Sequence, residues 1–128
     1  MKTGCIFQAR GKGVIAISLK VPKHLDGRIK RFERLAPLSS MLWMDKATYC
    51  RHFFGRILND LDPLETWKRL HDLADGAEPI LVCYEKPPFT PTNWCHRRIL
   101  AAWFRDRLGE VVDELEPQAP AQLRLPGC

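Results

Sequence analysis

Two short runs in the 128-residue chain hold the residue types that do chemistry. They are Cys83-Tyr84-Glu85 and, beyond a loop carrying Pro87, Pro88 and Pro91, Cys95-His96-Arg97-Arg98. Asn93 reads as a helix N-cap, which puts Cys95 and His96 in the first turn of a helix. Unpaired N–H groups and the positive end of the helix dipole meet there, so an anion is stabilised. A cysteine at such a position is shifted toward thiolate, more so beside histidine or arginine. On this reading Cys95 is a nucleophile, His96 moves a proton, and Glu85 orients the imidazole or pairs with Arg97. Arg97 and Arg98 clamp a phosphate or carboxylate, and Trp94 and Phe89 stack on a substrate or pack against the loop. Successive helical residues point ~100° apart, so the four side chains cannot all face one ligand. Cys95 and Arg98, three apart, share a face, and Arg97 folds back toward the strand ends.

Three other readings of these residues stay open. The helix start is an anion cradle without covalent chemistry. Alternatively, Cys83, Cys95 and His96 hold a metal, with Glu85 or Cys50 as fourth ligand; the ligand types suit zinc, but the Cys83–Cys95 separation and the lack of a C-x-x-C pair do not. In the third, both cysteines are small buried apolar residues, and His96 and the arginines satisfy loop carbonyls. The residues name no cofactor. His24, His52 and His71 read as structural or solvent-facing.

The elements that must position these runs follow from the pattern. Residues 13–22, "GVIAISLKVP", read as a buried strand, and residues 79–85, "PILVCYE", as a second, whose lack of alternation predicts cover on both faces of a parallel sheet. Residues 23–41 read as loop with a short helical turn near Ile29 to Leu35. A helix capped by Asp45 presents Cys50, Phe53, Phe54, Ile57, Leu58 and Leu61. A second, with Asp62 as cap, Pro63 at its first position and Glu65 completing a capping box, presents Leu64, Trp67, Leu70, His71 and Ala74 and stops at Gly76. A third spans residues 94–108, with Leu100, Trp103, Phe104 and Leu108 as its stripe and Gly109 as its stop. "EVVDEL" reads as a short further strand. Trp43, Phe53, Phe54, Trp67, Trp103 and Phe104 read as core.

Strands alternating with helices predict a single small α/β domain over residues 1–116, a short, mainly parallel sheet flanked by helices, followed by a proline-rich tail over residues 117–128. Ligands in such sheets sit outside the carboxyl ends of the strands, where the CYE and CHRR runs lie. Hydrophobic residues make up 45% and charged residues 27%, with no apolar run of membrane-spanning length and no visible secretory signal. The five irregularly spaced cysteines do not form a disulfide framework. A cytoplasmic protein with reduced thiols is expected. The net charge of +5 permits anionic partners, without a basic block of the kind found in nucleic-acid-binding tails.

"ISLKVP", "LAPLSSML", "ILNDLDP" and "ILVCYEKP...CHRRILAAWF" together resemble the bacterial and phage proteins of domain-of-unknown-function family 488, over about residues 14–104. The C-x-E...C-H-R pair is the most specific element of the resemblance and implies a site at Cys83, Glu85, Cys95, His96 and Arg97. The "D-V-R" segment of longer members has no counterpart in "AISLKVP", which leaves Lys20 or Lys23 as the nearby cations. The reading that follows is a small intracellular enzyme acting on an anionic substrate, whether nucleotide, nucleic acid or phosphate ester. The alternative is a non-catalytic nucleic-acid- or protein-binding module with a structural Cys/His cluster.

Overall fold

The computed structural model describes residues 1–115, so the segment read as a proline-rich tail lies outside the described residues. Five strands, β1 (Lys2–Cys5), β2 (Val14–Ala16), β3 (Lys30–Arg31), β4 (Ile80–Cys83) and β5 (Asp113–Glu114), form one sheet in the order β3-β2-β4-β1-β5. Every pairing among them is parallel, as expected for the α/β class. β4 is central: Leu81 pairs with Thr3 on one side and Ile15 on the other. Its uniformly apolar run follows from this position. Leu81 enters the core under the helices, Val82 enters a second core on the opposite face, and both are fully buried.

β1 and β3 were not anticipated from local pattern. The sequence Lys-Thr-Gly-Cys has little strand propensity, and β1 is held by pairing with β4 and β5. β3 is two residues paired to Ile15 and Ala16 in a stretch read as loop, and the anticipated helical turn is a 3-10 turn at Glu33–Leu35.

The helices are α1 (Lys46–Arg56), α2 (Pro63–Ala74) and α3 (His96–Leu108). Asp45 Oδ1 accepts from the Thr48 N–H at 2.8 Å, and Asp62 Oδ2 accepts from the Glu65 N–H at 2.8 Å, as their cap positions predict. α2 stops where Asp75 and Gly76 take positive φ, and α3 stops at Gly109, φ 70°. All three helices contribute to the core that includes Ile15, Ile17 and Leu81. The opposite face is covered by Ile6, Ala9, Val21, Leu25 and Ile29, from loops and the 3-10 turn Lys23–Leu25. The sheet is therefore flanked by helices on one face and by irregular chain on the other. The stripes need amendment: Phe54 and Leu64 are exposed, Tyr49 and Thr66 are buried in their place, and Trp43, read as core, is 92% exposed. An apolar residue at helical spacing is buried only if a partner lies opposite it.

The topology creates a crevice. The chain leaving β2 runs outward to the edge strand β3, whereas the chain leaving β4 passes β1 to the other edge strand, β5. The connections part between two neighbouring strands, the arrangement that opens a ligand site at the carboxyl ends of a parallel sheet.

At the opposite end of these strands, Gly13 O accepts from the Ile80 N–H at 2.8 Å, and a Cβ on Gly13 would lie 2.0 Å from the Glu78 carbonyl oxygen. Gly13→Ala should lower stability by about 1–3 kcal/mol through this overpacking. A urea midpoint equal to that of the parent chain would refute the close approach.

Candidate functional site

A cleft of about 550 Å3 lies at this crevice, between the chain leaving β2 (Ser18, Leu19, Lys20) and the chain leaving β4 (Cys83, Tyr84, Glu85). α1 supplies Tyr49, and the start of α3 supplies Trp94, Cys95 and His96. Cys83, Cys95 and His96 are all buried, and their ligand-capable atoms lie within 4.8 Å of one another. The sequence places Cys83 and Cys95 twelve residues apart; the parallel sheet brings the end of β4 against the N-terminus of α3. The two sulfurs are joined as a disulfide, with Cα atoms 7.6 Å apart, while Cys5 and Cys50 are free. This corrects the expectation of reduced thiols throughout.

The helix start differs from the expected one. Cys95, with extended backbone, occupies the cap position and caps without a side-chain hydrogen bond. Asn93 instead donates from Nδ2 to the carbonyls of Lys86 and Pro88 at 2.8 and 2.9 Å, tying the proline-rich loop to itself. His96 is packed edge-on against Phe53, 5.4 Å between centroids. Its Nε2 lies 2.8 Å from the carbonyl oxygen of Ile17, an acceptor, so the hydrogen sits on Nε2 and the Nδ1 lone pair faces Cys95 Sγ at 3.7 Å. The imidazole is thus oriented by a backbone carbonyl and not by Glu85. Burial pushes its pKa down to about 4, against the raising effect of the Ile17 hydrogen bond. A neutral imidazole of such low basicity is a poor proton acceptor, which weighs against the proton-transfer role.

The arginines are turned inward, against the expectation of a substrate clamp. Arg97 has no exposed surface. Its Nε and Nη2 donate to the two carboxylate oxygens of Glu114 at 3.0 and 2.8 Å, Nη2 also donates to the Glu85 carbonyl at 2.7 Å, and Nη1 donates to Cys83 Sγ at 3.3 Å. Its guanidinium also lies over the Phe89 ring, 4.8 Å from the centroid. Arg98 Nη1 donates to Thr3 Oγ1 and the Val112 carbonyl, and the Thr3 hydroxyl donates to Glu114 at 2.6 Å. Both arginines therefore fasten β5 to the sheet. The guanidinium contact thus falls on the sulfur of Cys83, whereas the sulfur of Cys95 faces the His96 ring.

The Glu85 side chain is exposed at the cleft rim. Burial first, and then the Glu85 carboxylate, push the Tyr49 phenol pKa up, so this carboxylate acts on Tyr49 and not on His96. Trp94 stands edge-on to Tyr49 at 4.7 Å and walls the cleft. Lys20 is the cation among the cleft-lining residues. Tyr49, Thr3 and Glu114 were missed. Tyr49 lies one turn before Phe53, a signal that was available, whereas nothing local marks Thr3 or Glu114 as partners of the arginines.

Two outcomes follow from this geometry. Unfolded histidine takes up its proton below about pH 6.5, whereas folded His96 does so only near 4, so stability should fall as pH drops through that window, by on the order of 3 kcal/mol. The difference between the parent chain and His96→Asn, followed by urea unfolding from pH 7 to 4, isolates this contribution; parallel curves would contradict it. Glu114→Ala strands a buried guanidinium and should cost about 3 kcal/mol, and adding Arg97→Met should recover part of that loss. A double variant no more stable than Glu114→Ala alone would count against the buried pair.

No helix among the described residues is long and apolar enough to cross a membrane. No family model, curated protein or solved structure matches the chain.

Proposed function

We propose that the chain is an enzyme acting on a small anionic molecule, a nucleotide or phosphate ester, bound in the cleft at the carboxyl ends of β2 and β4. The observation that carries this reading is the convergence of Cys83, from the end of β4, with the adjacent Cys95 and His96, at the start of α3, three buried groups on the floor of that cleft. A cleft of about 550 Å3 suits a small molecule, whose sites span ~300–1,000 Å3. Tyr49, Trp94 and Met44 offer it apolar and aromatic walls, and Lys20 offers its anionic group a charge at the rim. With Arg97 and Arg98 engaged inside the protein, nothing at the cleft favours a nucleic-acid polymer over a small anion. Cys83 is the reactive sulfur in this proposal, held as thiolate by Arg97, with Cys95 and His96 completing the centre. The resemblance to family 488, whose C-x-E...C-H-R pair falls on the same residues, supports the location.

The test is alkylation of the reduced, metal-free protein by iodoacetamide across pH, read by mass spectrometry with and without adenosine monophosphate. Cys83 should react at lower pH than the half-buried Cys50, and the nucleotide should slow it. Lys20→Glu should weaken that protection about tenfold, ~1.4 kcal/mol, and leave the pH profile unchanged. Cys83 reacting no sooner than Cys50 would remove the thiolate centre, and reaction indifferent to the nucleotide would remove the anionic substrate.

A further inference from the structure

The three groups on the cleft floor have a geometry that neither thiol chemistry nor a disulfide requires. Bridged cysteines usually hold their Cα atoms roughly 4.4–6.8 Å apart. Those of Cys83 and Cys95 are 7.6 Å apart, and the two sulfurs and a ring nitrogen of His96 all lie within 4.8 Å of one another. The nitrogen that faces Cys95 Sγ is His96 Nδ1, made available as a lone pair because Nε2 is occupied by the Ile17 carbonyl. A carbonyl on the far ring nitrogen is the arrangement that fixes tautomer and ring orientation in metal-binding histidines. Outside the sulfur pair, Arg97 Nη1 donates to Cys83 Sγ, an outer partner for a ligand thiolate, and the arginine's own charge is matched by Glu114.

We infer that, in the reduced protein, Cys83 Sγ, Cys95 Sγ and His96 Nδ1 bind one divalent cation of the zinc class, with the fourth coordination position open to the cleft. This deepens the reading of the same centre as reactive and rests on it for location. Two thiolates and one imidazole suit zinc, and three protein ligands with an open position are the pattern of catalytic rather than structural sites. Among the described residues no fourth histidine, cysteine or carboxylate joins the group. Glu85 stands at the rim, and Cys50, in a neighbouring hollow that Cys95 also borders, is not among the converging ligand atoms, so neither acidic nor thiol side chain closes the fourth position.

The chemistry balances. A dithiol reductant supplies two electrons and two protons to the bridge, giving two thiols, and itself closes to a disulfide. Metal binding then releases the two thiol protons, leaving a dication, two thiolates and a neutral imidazole with no net charge. A centre neutral overall avoids the desolvation penalty that a charged one would incur where all three residues are buried.

The experiment is titration of the dithiol-reduced, desalted protein with cobalt(II) under nitrogen. One equivalent should produce the thiolate-to-cobalt charge-transfer band and the visible bands of tetrahedral cobalt, and zinc should displace them. The same protein left oxidised should give no band. In the reduced parent chain, one equivalent of zinc should shield Cys83 and Cys95 from alkylation and leave Cys50 reactive, a readout that needs no variant to fold. His96→Ala should weaken cobalt binding at least tenfold. Absence of the cobalt band in the reduced chain, or zinc shielding that misses either cysteine, would overturn the metal site. An unchanged cobalt spectrum and affinity in His96→Ala would overturn the ligand set. The alkylation profile of metal-free protein is unaffected by these outcomes, so the metal site can fail while the thiolate centre stands, and the reverse.

Discussion

Arg97 places a full positive charge where no solvent reaches it, and the geometry around the cleft depends on how that charge is satisfied. Taking a guanidinium out of water costs several kcal/mol, which only close, well-aligned partners offset. Glu114 provides two parallel hydrogen bonds, the Glu85 carbonyl a third and Cys83 Sγ a fourth. These partners come from β5, from the loop after β4 and from β4 itself. One side chain thereby links the edge of the sheet, the proline-rich loop and the floor of the cleft. Arg98 and Thr3 extend the network to β1. A buried pair of this kind is weak evidence for net stability against an apolar substitute, but it demands one arrangement of its partners, and that demand places Cys83 beside Cys95.

The sheet adds the second constraint. Because all its pairings are parallel, every strand ends at the same edge, and the chain must return through a crossover each time. β2 and β4 send their crossovers in opposite directions, so neither covers the gap between their ends. α1 closes one side of that gap by setting Tyr49 and Phe53 against Trp94 and His96. The apolar packing that buries the imidazole is also what keeps it neutral. Packing and site electrostatics are thus the same contacts seen twice.

Much of this was legible in the amino-acid order. The α/β class, the buried strand found at Ile80–Cys83, the caps at Asp45 and Asp62 and the stop at Gly109 all rest on local signals: periodicity, capping chemistry, or a run of apolar residues too uniform for an exposed sheet. Such signals survive in one dimension because the physics behind them spans only a few residues. Strands β1 and β3 did not, since Lys2–Cys5 and Lys30–Arg31 have no strand character of their own and exist through their neighbours.

The roles within the site divide along the same line. Residue types and spacing by themselves determined that thiol, imidazole and guanidinium would gather where a helix begins at the end of a parallel strand. They did not determine which way each side chain turns. Asn93 binds its own loop instead of capping the helix, both arginines face the protein instead of a ligand, and Glu85 faces the rim instead of the imidazole. Only the tertiary structure decided the partners of the arginines and the imidazole, because Glu114, Thr3 and the Ile17 carbonyl lie 17 to 95 residues away along the chain. Charge satisfaction and burial are set by what is near in space, and the sequence lists only what is near along the chain.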